Sequence, residues 1–175
     1  MDLFYKRKSV RKYKPLPVTD EQVQAILAAA CLAPSGNNNQ PWKFIVIRNE
    51  EHKARIAAVD HDQQWMLTAP VFIAVLGDIT CRLKDGYGPV DETNPTVELK
   101  KVIRDSAIAA TYLMLEAENL GLSTCWTGWY TQAEMKKALG IDDRYYVVGV
   151  FTLGYADEEP EARPRKELSE LVSYE

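Results

Sequence analysis

Soft metal ligands are scarce in this chain: three cysteines and two histidines stand among 175 residues. Cys31, Cys81 and Cys125 are odd in number and far apart, which fits neither a disulfide framework nor a zinc knuckle. With His52 and His61 as the imidazoles, no protein-ligated metal centre is expected. No stretch approaches the roughly 18 uncharged apolar residues of a membrane span, and the N-terminus carries basic residues without the apolar core of a signal peptide. A cytoplasmic location, away from membranes, is the expectation. Also lacking are the G-x-G-x-x-G turn of a dinucleotide fold and the G-x-x-x-x-G-K-[ST] loop that cradles phosphates, so neither nucleotide scaffold is supported. No internal repeat appears.

What is present is a core: 46% hydrophobic and 10% aromatic residues suffice for one globular domain spanning 1–175. The net charge of -4 hides an asymmetry, because residues 6–14 hold six basic side chains and no acid. Such a run can be a nucleic-acid patch, a localisation signal or a solvated face. A pI near 5.3 opposes a long phosphate backbone, and a small anion suits the arm better.

Thr19 and Gln22 form a capping box, after which Val23, Ile26, Leu27 and Ala30 recur at helical spacing, and the helix is expected to end before Pro34. Lys43 to Arg48 reads as a short buried strand and Glu50 to Val59 as a surface helix with Ile56 and Val59 inward. Pro70 introduces a second strand, Val71 to Leu76. Residues 77–95 read as a surface loop, a lid or wall for a pocket. From Val97 to Leu120 runs one long helix, apolar on nearly every side around residues 107–115, which places it in the middle of the core or of a dimer interface. Gly121 stops it. Thr131 and Glu134 cap a short helix ending near Gly140, and Tyr145 to Leu153 is the strongest strand signal.

Residues 33–42, Ala-Pro-Ser-Gly-Asn-Asn-Asn-Gln-Pro-Trp, join a helix end to a strand start through consecutive amides. They are either a polar turn or a loop that meets the edge of a heteroaromatic ligand. Together with Arg7-Lys-Ser-Val-Arg11 and Thr124-Cys-Trp-Thr-Gly-Trp-Tyr130, they supply what a flavin mononucleotide needs. Arginines and a hydroxyl suit its phosphate, amides its pyrimidine edge, and a backbone donor near Thr127 and Gly128 its N5 side. Taken singly, Trp126 and Trp129 are equally core or interface aromatics, and Ser9 equally a cap.

The four motifs Arg-Lys-Ser-x-Arg, Ala-Pro-Ser-Gly-x-x-x-Gln-Pro-Trp, Gly121-Leu-Ser-Thr-Cys-Trp-Thr-Gly128 and Pro164-Arg-Lys166 follow one another in order. In them the chain resembles the nitroreductase family of FMN-dependent oxidoreductases over nearly its whole length. The resemblance implies an α+β fold, with a central, mostly antiparallel sheet flanked by helices, assembled as a homodimer with FMN at the subunit interface. It assigns Arg7, Lys8, Ser9 and Arg11 to phosphate and ribityl, with Arg163 and Arg165 joining them on the phosphate. Pro34, Ser35, Gly36, Asn38 and Gln40 match a loop that reaches the partner's flavin. Trp126, Thr127 and Gly128 match the N5 side, and His61 and Gln64 are the nearest positions to ring-contacting residues of larger members. The tail, 156–175, is expected to pack on the partner.

Lys8 stands where arginine is frequent, which keeps charge and loses bidentate geometry. The lid region is brief compared with larger members. The implied reaction passes hydride from NADH or NADPH through FMN to a nitroaromatic, quinone or activated alkene by ping-pong exchange, with no catalytic side-chain acid or base. Trp129 and Tyr130 are expected to line the acceptor side. The alternatives are a same-fold flavin enzyme with a specialised reaction, such as reductive dehalogenation, dehydrogenation or flavin breakdown, or a non-catalytic flavin- or nucleic-acid-binding protein.

Overall fold

The structure, a computed structural model, describes residues 2–175. A short helix α1 (Asp2–Lys6) precedes an extended arm. Then come α2 (Asp20–Cys31), β1 (Trp42–Ile47), α3 (Glu50–Val59), β2 (Val71–Asp78), α4 (Val97–Asn119), β3 (Ser123–Thr127), α5 (Gln132–Leu139) and β4 (Tyr145–Gly154). The strands form one sheet in the order β1-β2-β4-β3, with every neighbouring pair antiparallel.

Local chemistry sets the helix starts. Thr19 Oγ1 accepts the Gln22 N–H (3.2 Å) while Gln22 Oε1 accepts the Thr19 N–H (3.0 Å), closing the capping box of α2. Asn49, Thr96 and Thr131 cap α3, α4 and α5 in the same sense. Gly121, at φ +74°, ends α4 in the left-handed region.

β2 is central and covered on both faces, so its apolar residues run on without alternation. Val71, Ile73 and Val75 join Phe151 and Leu153 against α2 and α4, where Ile26, Ala30, Ala110 and Leu113 are buried. Phe72, Ala74 and Leu76 join Val147 and Val150 against Ile56 of α3 and Met135 of α5. Val148 forms a bulge where the β2–β4 register shifts between Val75 and Leu76.

The fold departs from the sequence expectation in three places. β1 is half exposed because it is an edge strand, although its composition reads as buried. Residues 77–95 are not a free loop: Gly77 and Asp78 finish β2, Val90 and Asn94 are buried, and the Lys136 ammonium of α5 donates to the Val90 carbonyl (2.6 Å). α4 is not enclosed all round; Thr111 and Tyr112 face solvent in the single chain, on the side turned from the sheet. The arm and β3 belong to strand-like pairing that the periodicity did not announce.

Candidate functional site

The arm that follows α1 lies along the open edge of β3. Ser9 forms a parallel bridge with Thr124, and the Val10 N–H donates to the Thr124 carbonyl (3.2 Å). Tyr13 anchors the arm from below: its hydroxyl donates to the Val10 carbonyl (2.7 Å) and meets Thr152 Oγ1 at 2.6 Å. Burial pushes that phenol's pKa up, so it remains a donor.

Anchored in this way, the arm gathers its cations. Burial pushes the Cys125 thiol up, against the charges of Arg11 and Arg7 and a hydrogen bond from Ser9, so these three residues share one neighbourhood. Burial likewise raises the Glu118 carboxyl, opposed by Arg7, Lys6 and Lys8. The Arg11 guanidinium sits 5.8 Å over the Trp65 ring. Among the described residues no carboxylate forms an ion pair with the side chains of Arg7, Lys8 or Arg11. Such a group of cations beside a hydroxyl is chemically matched to a phosphate monoester.

The amide loop occupies a different corner. Ser35 Oγ accepts the Gln40 N–H (2.9 Å), and Asn37, Asn38 and Gln40 all take left-handed φ values of +55°, +53° and +46°. Such clustering of non-glycine residues is strained backbone, which persists only where surroundings enforce it. The enforcement comes from α4 and the turn after β2. Asp105 Oδ2 accepts the Gly36 N–H (3.1 Å) and the Arg82 guanidinium (2.9 Å), while Arg82 also reaches the Gly36 carbonyl (3.4 Å) and Glu98 (3.6 Å). A Cβ at Gly36 would lie 2.6 Å from Arg82 Nη2, so a side chain there would push the guanidinium away from the loop. Asn37, Asn38 and Gln40 are exposed, and Gln40 Nε2 donates back to the Asn38 carbonyl (3.4 Å).

Strand order separates this loop from the arm. β1 and β3 are opposite edges, and the start of β1 lies level with Tyr146 whereas Thr124 lies level with Leu153. Strand spacing and rise put the two corners about 25 Å apart. One chain therefore does not bring its own amide loop to its own cationic arm.

At the end of β3 the geometry is that of a wall and an opening. Trp126 lies on the α4 side against Phe151, ring centroids 4.8 Å apart, over Gly149, where a Cβ would stand 2.1 Å from the indole nitrogen. Thr127 is buried and its hydroxyl donates to the Val150 carbonyl (3.1 Å). A Cβ at Gly128 would meet open space. The Trp129 N–H donates to Asp60 Oδ1 (2.9 Å), and His61 stacks on the indole. Tyr130 lines the adjoining cavity, though its hydroxyl is buried without a partner, its pKa raised by burial and then by the Asp60 charge. Gln64 Nε2 donates to Asp62.

The structure thus groups Arg7, Ser9 and Arg11, and separately His61 with residues 128–130. It leaves Arg163 and Arg165 exposed on the tail, where the Arg165 guanidinium donates to the Arg163 carbonyl (3.2 Å). No hydrogen bond or ion pair among the described residues links either arginine to residues 7–11. Asp60, Arg82 and Asp105 escaped the sequence reading. For Asp105 a signal existed, a carboxylate on the helix stretch that leads into the apolar residues 107–110. No group of three or more His, Cys, Asp or Glu side chains among the described residues is placed to hold a metal ion, and no described helix is long and apolar enough to cross a membrane.

Comparison with known proteins decides the family. The Nitroreductase family model matches residues 5–65 and 58–155. This chain belongs to the nitroreductase family. A protein of Archaeoglobus fulgidus assigned as an NADH dehydrogenase/NAD(P)H nitroreductase is 32% identical over 163 residues, covering 91% of this chain and 86% of its own. A solved protein of Exiguobacterium sibiricum 255-15, assigned as a nitroreductase and in complex with FMN, superposes with a TM-score of 0.86 at 26% identity, covering 99% of this chain and 96% of its own. The NADPH:FMN oxidoreductase of Vibrio harveyi, solved with NAD+, gives a TM-score of 0.87 at 25% identity, covering 99% of this chain and 75% of its own. The family match includes the arm, the amide loop and β3, and stops before the two tail arginines.

Proposed function

We propose that this nitroreductase-family chain is an FMN-dependent NAD(P)H oxidoreductase acting on a small electron-poor acceptor. The observation that carries the reading is the cluster of Arg7, Lys8 and Arg11 beside Ser9 at the open edge of β3, with Glu118 nearby but no carboxylate among the described residues in an ion pair with their side chains. The residues fit a phosphate monoester in charge and donor type, and the end of β3 offers an aromatic wall and an open glycine. When bound, FMN supplies reversible hydride transfer between NADH or NADPH and an acceptor such as a nitroaromatic, quinone or activated alkene.

In this reading Arg7, Lys8, Ser9 and Arg11 hold the phosphate and ribityl end. Thr127, whose hydroxyl is spent on Val150, presents backbone rather than side chain, and Gly128 keeps the approach clear. Trp126 closes one side of the site, and Gln64 stands near the arm through the Trp65 turn. No side chain is assigned as acid or base.

The separation of the two corners extends the reading to a homodimer. Pro34, Ser35, Gly36, Asn38 and Gln40 serve a site on the second copy, and the tail lies across that copy with Leu168, Leu171 and Val172, exposed here, as its apolar contacts. Arg163 and Arg165 then reach a phosphate from the tail. The open face of α4 around Tyr112 belongs to the same interface.

The test is an absorption spectrum of freshly purified protein with light scattering. A yellow protein with the mass of two chains, bleached anaerobically by NADH or NADPH and recoloured by a nitroaromatic or quinone, is expected. A colourless monomer that takes up no added FMN refutes the proposal. Bound flavin that neither nucleotide bleaches shifts it to a specialised reaction on the same fold.

A further inference from the structure

Trp129 is gripped by two consecutive residues from another element. Asp60, wholly buried at the C-terminal end of α3, accepts the Trp129 N–H at Oδ1 (2.9 Å). His61 Nδ1 lies 3.0 Å from the Trp129 carbonyl oxygen, which cannot donate, so Nδ1 carries the proton. The imidazole lies flat on the indole, with centroids 3.7 Å apart and planes 9° from parallel. Both backbone polar groups of residue 129 and one face of its ring are thus engaged. His61 and Asp62 achieve this with φ values of +57° and +50°, a left-handed turn open mainly to glycine, Asn, Asp and His.

Despite this grip, Trp129 is 64% exposed. An exposed tryptophan normally samples several rotamers. Here the backbone of Trp129 is held at both polar groups and His61 stacks on one face of the indole, while the rest of the ring is exposed. A cavity of about 600 Å3 adjoins it, lined in part by Val59, His61, Gly128, Trp129 and Thr131. That size suits a small organic molecule. Asp62 and Glu134 also line it, so its charge disfavours anions.

We propose that Asp60 and His61 are positioning residues that hold Trp129 as a stacking platform, whose exposed face takes a neutral, planar, electron-poor aromatic acceptor. The inference rests on the oxidoreductase reading and names the substrate class of that site. Indole is electron-rich, and an offset stack with a ring depleted of electrons is favoured by complementary quadrupoles. His61 on the far face prevents the indole from tilting away, so the ordering cost is met before the acceptor arrives. His61 then acts on the acceptor through Trp129, not as a contact of the flavin.

Two measurements on the FMN-loaded protein test this. In the first, oxidised protein is titrated with neutral 4-nitrobenzamide in the absence of NAD(P)H and indole emission is followed. Saturable quenching is expected, lost in Trp129→Phe and weakened roughly 3- to 10-fold in His61→Asn, the worth of one aromatic stack. Asparagine tolerates the left-handed turn and keeps a side-chain donor, so the variant removes the stacked ring while sparing the fold. In the second, turnover is compared between 4-nitrobenzamide and ferricyanide. His61→Asn is expected to raise KM for the aromatic more than it lowers kcat, and to lower the kcat/KM ratio of aromatic to ferricyanide. Wild-type 4-nitrobenzoate binding as tight as that of the amide, or Trp129→Phe binding the amide like wild type, overturns the proposal. Binding at Trp129 without any oxidation of NADH or NADPH sinks the redox reading and leaves the platform standing.

Discussion

Replacing Asp105 by alanine removes the one acceptor shared by the Arg82 guanidinium and the Gly36 N–H. The Arg82 side chain is 8% exposed and Asp105 9%, so the change strands a nearly buried cation. Breaking a buried pair from one side costs about 3 to 5 kcal/mol. Glu98 remains 3.6 Å from Arg82 and recovers part of the loss. The Gly36 N–H lies in an exposed residue and can turn to water. The lower end, about 3 kcal/mol, is therefore expected for Asp105→Ala. In urea, with a slope of about 2 to 3 kcal/mol/M for a chain of this size, the midpoint falls by roughly 1 to 1.5 M. The Tm falls by roughly 6 to 12 °C. Arg82→Met in the Asp105→Ala background restores part of the stability, because no charge is then left unpaired. A midpoint shift below about 0.3 M, or a double variant as unstable as the sum of its singles, refutes the clamp.

Three further outcomes follow from the geometry. Arg7→Ala and Arg11→Ala each weaken FMN retention by about 1.5 to 3 kcal/mol, roughly 10- to 100-fold in Kd by fluorescence titration, and full occupancy in the double variant rejects the phosphate assignment. Gly149→Ala forces the Trp126 indole off the sheet, because the new methyl would stand 2.1 Å from its nitrogen. A loss of about 1 to 3 kcal/mol and a shifted near-UV circular dichroism signal are expected, and an unchanged spectrum contradicts the packing. Thiol titration at pH 8 finds Cys31 and Cys81 in the folded chain and Cys125 only after unfolding. Burial, and then the Asp78 charge, raise Cys81, so its thiolate fraction, and with it its alkylation rate in the folded chain, climbs with pH above the ordinary cysteine range; prompt native labelling of Cys125 is the contrary result.

Local chemistry was legible in the sequence where it acts within a few residues. Thr19 and Gln22 announce the start of α2, Thr131 that of α5, and Gly121 the end of α4, because each cap satisfies backbone groups three or four positions away. β2 and β4 carry enough β-branched and aromatic residues to declare themselves. β3 does not, since Ser123 to Thr127 becomes a strand only through its pairing with β4 on one side and the arm on the other. β1 shows the complementary limit: its residues look internal, and only sheet order makes it an edge. The same limit holds at the site. Motif order pointed to the arm, the amide loop and residues 126–130, but the clamp on Gly36 joins residues 69 apart in the chain, and so does the grip on Trp129. No spacing rule registers contacts of that range.

The diagonal placement of the cationic arm and the amide loop has a genetic consequence. If a single ligand draws on both, each chain of a pair donates half of two composite sites. A chain crippled at Arg7 and Arg11, mixed with one crippled in the 35–40 loop, then yields hybrids in which one pocket inherits both defects and the other inherits neither. Two dead parents would give partly living offspring, and alleles of this kind would complement within the same gene.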